Sequence, residues 1–124
     1  MTELFAPAEY WKATDAARAE VCNGCGTKGL AGILVPDNLD GLSITECCNI
    51  HDWMYTFGSK QEDKDEADIV FLNNMVRLIN ANQTIEPLMA VRRQHCMLYY
   101  SAVRDFAGPA FWDNKNKPEE MRKV

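Results

Sequence analysis

The chain has 124 residues, a formal net charge of -5 and 47% apolar residues. This length predicts a single domain over residues 1–124, and the apolar content is that of a globular chain, not a disordered one. The acidic balance argues against a nucleic-acid binder, which needs a basic face, and against electrostatic attraction to an anionic membrane. No apolar run is long enough to span a bilayer, and no signal peptide is visible at the start of the chain.

Two helices separated by a long loop are predicted in the first half of the chain. The first helix covers about residues 7–20, with Pro7 in its first turn. Residues 22–42 are dense in Gly, Pro, Asp and Asn and are predicted as a loop, and so long a loop in a small domain is usually functional. A capping-box pattern at residues 43–46 opens the second helix, which runs to about Phe57 and stops at Gly58.

Two further helices are predicted in the second half, and no strand, so the fold class is all-α. Residues 59–62 repeat the capping signal and start the third helix, whose charged residues 62–66 are expected to form a solvated first turn. Its apolar stripe runs from Ala67 to Ile79. Thr84 can cap the fourth helix, which Gly108 and Pro109 end, and one side of it carries Leu88, Val91, His95, Leu98, Ala102, Val103 and Phe106.

Residues with catalytic chemistry fall on the second and third helices. His51 and Tyr55 are four positions apart and share a helix face. Because the connection to the third helix is only a few residues long, the two helices should be antiparallel neighbours, which can bring Asp68 back toward both. A carboxylate facing an imidazole fixes its tautomer and supports it as a base. Asp52, together with backbone carbonyls of the glycine-rich loop, would suit a hard cation such as calcium.

These residues carry a resemblance to a known family. The segment CCNIHDWMY at residues 47–55 resembles the phospholipase A2 signature of two cysteines, two residues, His-Asp, two residues and Tyr. Residues 22–26, CNGCG, resemble the start of that superfamily's calcium loop, and residues 67–71, ADIVF, resemble its second-helix motif. The combination is most similar to the group XII secreted phospholipases A2 and covers roughly residues 21–79.

The resemblance implies a fold and an activity. The fold would be phospholipase A2-like, with two long antiparallel helices, a calcium loop and additional helices. It would lack the β-wing of larger relatives, for which there is no room between Gly58 and Glu62. The activity would be hydrolysis of the sn-2 ester of glycerophospholipids at a membrane or micelle surface, with His51 as the general base, Asp68 as its partner and Tyr55 hydrogen-bonded to Asp68.

The resemblance also implies a metal site. Ca²⁺ would be bound by the carboxylate of Asp52 and by the loop carbonyls of Gly24, Gly26 and Lys28. Lys28 stands where the family usually has a loop glycine, and the loop is long.

Five cysteines leave one unpaired if all the others form disulfides. The resemblance implies a disulfide between Cys25 and Cys48, which would tie the loop to the second helix. The family's usual partner of Cys47 is replaced by Asn74. Cys47 is therefore expected to pair with Cys96, to pair with Cys22 or to remain a thiol. The family is largely secreted, whereas the lack of a visible signal peptide and the few cystines point the other way, so the compartment stays open.

Two alternatives belong to other functional classes. One keeps the fold as a catalytically weak or inactive protein that binds lipid or a partner, with Lys28 disturbing the calcium loop. The other is a small zinc-binding domain, because Cys and His side chains at these spacings can bind zinc. Its ligands would be Cys22, Cys25, Cys47 or Cys48, and His51.

Overall fold

The computed structural model describes residues 3–22, 35–113 and 115. Within these residues the chain is mostly helical, so the all-α fold class is confirmed at that level. None of the described helices is long and apolar enough to cross a membrane. The elements, in chain order, are α1 (Ala8–Lys12), α2 (Asp15–Val21), β1 (Asn38–Leu39), β2 (Leu42–Ser43), α3 (Thr45–Phe57), α4 (Gln61–Ala81), α5 (Glu86–Phe106) and α6 (Gly108–Trp112).

The first predicted helix is two helices, so the prediction of one element was wrong. Thr14 has an extended backbone and lies between α1 and α2. Its hydroxyl accepts a hydrogen bond from the Ala17 N–H at 3.0 Å. Thr side chains satisfy the free N–H groups at a helix start, so Thr14 begins a new helix instead of continuing the old one.

A small antiparallel hairpin precedes α3, although no strand was predicted. Asn38 pairs with Ser43 and Leu39 pairs with Leu42. Asp40 and Gly41 form the turn with φ of 50° and 92°. Two successive left-handed residues are the geometry of a two-residue hairpin turn, and Asp-Gly is a favoured sequence for it. Residues 58–60, which join α3 to α4, contain no strand.

The core is built around α4, which packs against both α3 and α5. Most of the apolar stripe predicted for this helix is buried, with Ala67, Phe71, Met75 and Ile79 each at most 1% exposed. Gly58 ends α3 where α6 comes close, and a Cβ there would lie 2.8 Å from Cε1 of Phe111. A side chain at this corner would force the Phe111 ring to move, so close packing favours glycine.

The apolar side predicted for α5 is mostly not the side that the helix buries, because Val103 alone of its seven residues is fully buried. The core receives Met89, Cys96 and Val103, while Leu98 and Phe106 are 58% and 70% exposed. Arg92 also lies on the buried side, where its guanidinium donates to the carbonyls of Leu39 and Asp40, each at 3.1 Å. The hairpin therefore contacts the side of α5 that carries Arg92.

Candidate functional site

The contact between α3 and α4 brings His51, Tyr55 and Asp68 together, as predicted from their spacing. His51 Nε2 lies 2.8 Å from Asp68 Oδ1. The Tyr55 hydroxyl donates to the same oxygen at 2.7 Å. His51 and Asp68 are each 1% exposed and Tyr55 is 5% exposed. The three groups therefore form a desolvated hydrogen-bond network in the helix interface.

Helix geometry and ring packing fix these side chains. His51 and Tyr55 lie one turn apart on α3, and their ring centroids are 4.1 Å apart. Asp68 follows the buried Ala67 on α4, and the Phe71 ring centroid lies 5.0 Å from that of His51. Because rings and helices surround the imidazole, its orientation is set by packing as well as by the hydrogen bond to Asp68.

Lys64 completes this network, and the prediction that it lies in a solvated first turn was wrong. Its side chain is almost fully buried, and its Nζ donates to Asp68 Oδ2 at 2.8 Å. The same ammonium donates to the carbonyls of Val103 and Arg104, each at 3.2 Å. Those carbonyls belong to the last turn of α5, where the helix dipole attracts a cation. The four-residue step from Lys64 to Asp68 is the signal that could have identified the pair from sequence.

The charges in the network follow from burial and partners. Burial lowers the pKa of His51 more than the hydrogen bond and charge of Asp68 raise it. Burial pulls the pKa of Asp68 upward, but hydrogen bonds from His51, Lys64 and Tyr55 outweigh it and hold this pKa below its usual value. Near neutral pH the imidazole is neutral and the carboxylate is ionised. His51 Nε2–H then donates to Asp68, and the lone pair is on Nδ1.

Asp52 follows His51 on α3 and is 5% exposed. Cys22, at the end of the described N-terminal segment, donates its thiol to the carbonyl of Asn49 at 3.2 Å. The pKa of Cys22 is raised to about 11, first by burial and then by the negative charge of Asp52. Cys22, the last described residue before position 23, therefore lies near Asp52. The described chain resumes at Val35, which is 1% exposed and belongs to the same core cluster as Cys48.

The predicted calcium ligands are only partly within the described residues. Calcium takes six to eight oxygen ligands. Asp52 supplies a carboxylate, while Gly24, Gly26 and Lys28 lie outside the described residues. The described part of the chain contains no group of three or more His, Cys, Asp or Glu side chains placed to hold a metal ion. One described carboxylate is therefore compatible with the predicted set without completing it.

The structure gives the state of four of the five cysteines. Cys48 is disulfide-bonded, and its predicted partner Cys25 lies outside the described residues. Of the three states expected for Cys47, the free thiol is confirmed and both bridges are wrong, because Cys47, Cys96 and Cys22 are all free thiols. Cys47 and Cys96 lie on α3 and α5, the two helices that pack against α4, and act there as small apolar core residues. Burial raises the pKa of Cys47 to about 12, which disfavours its thiolate.

The same positions weigh against the zinc alternative. Cys48 is engaged in a disulfide, and His51 uses Nε2 for Asp68. The other histidine, His95, is a surface residue on α5 whose Nδ1 lies 2.8 Å from Asp40 Oδ2. That pair is separate from the α3–α4 network and helps to hold the hairpin.

Two cavities lined by described residues, with volumes of about 430 and 630 Å³, lie beside α3. Neither is lined by His51, Tyr55 or Asp68; they are on the sides of the helix that carry Trp53 and Asn49. Comparison of the chain with protein-family models, with curated proteins and with solved structures gives no match.

Proposed function

We propose that the protein hydrolyses the sn-2 ester of a glycerophospholipid in a calcium-dependent reaction of the phospholipase A2 type. One observation carries the proposal: a neutral, buried His51 is held by an ionised Asp68 that also accepts from Tyr55. A base held in this way can accept a proton in a transition state without first reorienting. The sequence pattern around these residues supports the same chemistry.

In the proposed reaction His51 Nδ1 takes a proton from water as the water oxygen attacks the ester carbonyl. Asp68 stabilises the imidazolium that forms, because its carboxylate accepts from Nε2–H. The tetrahedral intermediate then collapses as the bond to the glycerol oxygen breaks. The imidazolium returns its proton to that leaving oxygen, so the products are a fatty acid and a lysophospholipid, and His51 is neutral again.

The proposed metal site uses Asp52 and the carbonyls of Gly24, Gly26 and Lys28. Asp52 fits this role because it is a buried carboxylate next to the base and near the point where the loop begins. When bound, calcium would polarise the ester carbonyl and stabilise its developing negative charge. Tyr55 and Asp68 have no part in holding the ion; they position the imidazole.

The decisive experiment measures fatty-acid release from mixed phospholipid vesicles, with calcium and with a chelator. His51→Gln should abolish release while the circular dichroism spectrum stays unchanged. His95→Gln is the matched control, since His95 is a surface residue outside the α3–α4 network. No calcium-dependent release from any vesicle type would refute the enzyme and favour a protein of this fold that only binds lipid or a partner.

A further inference from the structure

The cavity of about 430 Å³ lies between the N-terminal segment, α3 and α4. Its apolar wall comes from Trp53, Met54 and Phe57 of α3. Its polar lining comes from Glu9, Asp63 and Glu66. No lysine or arginine is among the described residues that line it. A volume in this range is that of a small-ligand site.

Two aromatic rings form a corner of this cavity. The ring centroids of Trp53 and Phe57 are 4.7 Å apart, with an angle of 52° between the ring planes. Trp53 is 8% exposed and is fixed from behind by Tyr10, whose ring meets it edge-on at 5.6 Å. Phe57 is 63% exposed at the rim. The corner therefore joins a rigid indole to a ring that is open to solvent.

The acidic side chains of the lining are available to a ligand to different extents. Asp63 accepts from the backbone N–H groups of Ser59 and Lys60 at 2.8 and 3.0 Å, so it caps α4. Glu9 and Glu66 are exposed and have no ion pair among the described residues. Their carboxylates place negative charge around an apolar, aromatic space.

This combination selects one kind of ligand chemistry. An anion would meet carboxylates without a compensating cation in the lining. A primary ammonium would have to leave its strong hydration for an apolar wall. A quaternary ammonium meets both conditions, because its charge is spread over methyl groups that pack on aromatic faces, and aromatic corners with carboxylates bind such groups.

We propose that this cavity binds the choline headgroup of a zwitterionic phospholipid surface. A bilayer source is favoured over a free ligand because the exposed Phe57 at the rim can enter the interfacial region. A zwitterionic surface is favoured over an anionic one, because a chain with a net charge of -5 is not attracted to anionic lipids. This site is separate from the His51 network and does not depend on hydrolysis.

A soluble probe tests the cavity. Phosphocholine is titrated into the protein at constant ionic strength while the indole N–H signals of the three tryptophans are followed by NMR, with Trp53→Phe for assignment. The Trp53 signal should shift saturably, whereas Trp11 and Trp112 should not. Phe57→Ala should weaken binding roughly 3- to 30-fold, the range of a cation–π contact. Ile69→Ala, which removes an exposed apolar side chain of α4 outside the lining, should leave binding unchanged.

Vesicle co-sedimentation tests the source of the headgroup. His51→Gln is the background, so that hydrolysis cannot change the lipid. Phosphatidylcholine vesicles should bind more tightly than phosphatidylglycerol vesicles, and Phe57→Ala and Glu66→Gln should each weaken only the former. The proposal is overturned if phosphocholine leaves the Trp53 signal in place, or if Phe57→Ala binds as well as Ile69→Ala. Binding of phosphocholine without a preference for phosphatidylcholine vesicles would reject the bilayer as the source.

Discussion

Replacing Lys64 with methionine tests whether the buried network has the charges assigned to it. Methionine keeps most of the length of the side chain and removes the ammonium. Asp68 Oδ2 then loses its partner at 2.8 Å, and the carbonyls of Val103 and Arg104 lose a donor at 3.2 Å. Breaking a buried ion pair by removing one partner costs about 3–5 kcal/mol, chiefly because the other charge stays buried without compensation. We expect the free energy of unfolding to fall by that amount.

Urea unfolding followed by circular dichroism measures the loss, and a double-mutant cycle identifies its origin. Asp68→Asn alone should also destabilise, since it leaves the ammonium of Lys64 buried. The double variant should lose clearly less than the sum of the two single losses, because it leaves neither charge alone. Lys12→Met, on the exposed side of α1, is the control and should stay within about 0.5 kcal/mol of the parent. A Lys64→Met loss below about 1 kcal/mol, or additive single losses, would contradict the buried pair.

The Lys64→Met variant should also change the pKa of His51. The charge of Lys64 contributes to lowering the pKa of His51, so Lys64→Met should raise it. The chain has two histidines, and in a His95→Gln background the remaining imidazole can be followed by NMR without ambiguity. An unchanged or lower pKa of His51 would show that the ammonium does not act on the imidazole.

Three further results are expected. Stability should rise from acid toward about pH 6.5, the usual pKa of an unfolded histidine. The pKa of Asp68 is lowered in the folded state, so the stability that its carboxylate contributes is lost as the pH falls through that pKa. The pKa of His51 is also lowered in the folded state, so the unfolded chain binds more protons than the folded one below about pH 6.5, which favours unfolding there. In the His51→Gln variant, the free energy of unfolding from urea titrations should depend less on pH between the folded pKa of His51 and about pH 6.5. An unchanged pH dependence would rule out a lowered pKa of His51. Gly58→Ala should lower the free energy of unfolding by about 1–3 kcal/mol, because the new Cβ displaces the Phe111 ring. An unchanged free energy of unfolding would show that α6 moves aside without cost. Mass spectrometry after alkylation of the unfolded, unreduced chain should find three labelled thiols, and a single label would show that two of Cys22, Cys47 and Cys96 form a second disulfide.

The part of the site that could be predicted depends on local periodicity. His51 and Tyr55 are one helical turn apart, and a three-residue connection over 58–60 returns the chain so that Asp68 faces them. Such relations need only helix geometry and a short turn. The catalytic roles themselves stay predictions, because geometry shows a supported imidazole and does not show turnover.

The features that sequence reasoning missed depend on contacts between distant segments. Lys64 was placed in solvent with its charged neighbours, yet the end of α5 covers it some 40 positions along the chain. The apolar residues of α5 do not indicate most of its buried side, where Arg92 donates to a hairpin some 50 positions earlier. A polar residue is buried when a distant backbone supplies its partners, and hydrophobic periodicity along one helix carries no information about those partners.

The network also constrains how three helices fit together. α3 contributes His51 and Tyr55, α4 contributes Lys64 and Asp68, and α5 contributes two main-chain carbonyls at its end. Apolar contacts alone tolerate a helix that slides or rotates slightly, whereas a buried ammonium loses its acceptors if α5 shifts by one residue. Buried polar groups can in this way specify register at some cost in stability.

The four side chains of the network have no net charge, because the positive charge of Lys64 balances the negative charge of Asp68. A neutral imidazole can therefore stay buried beside a carboxylate without taking up a proton to balance it. In the proposed reaction, such an imidazole would already be neutral and oriented before a substrate arrives, and the ammonium that balances Asp68 is held by the same helix end that fixes the register.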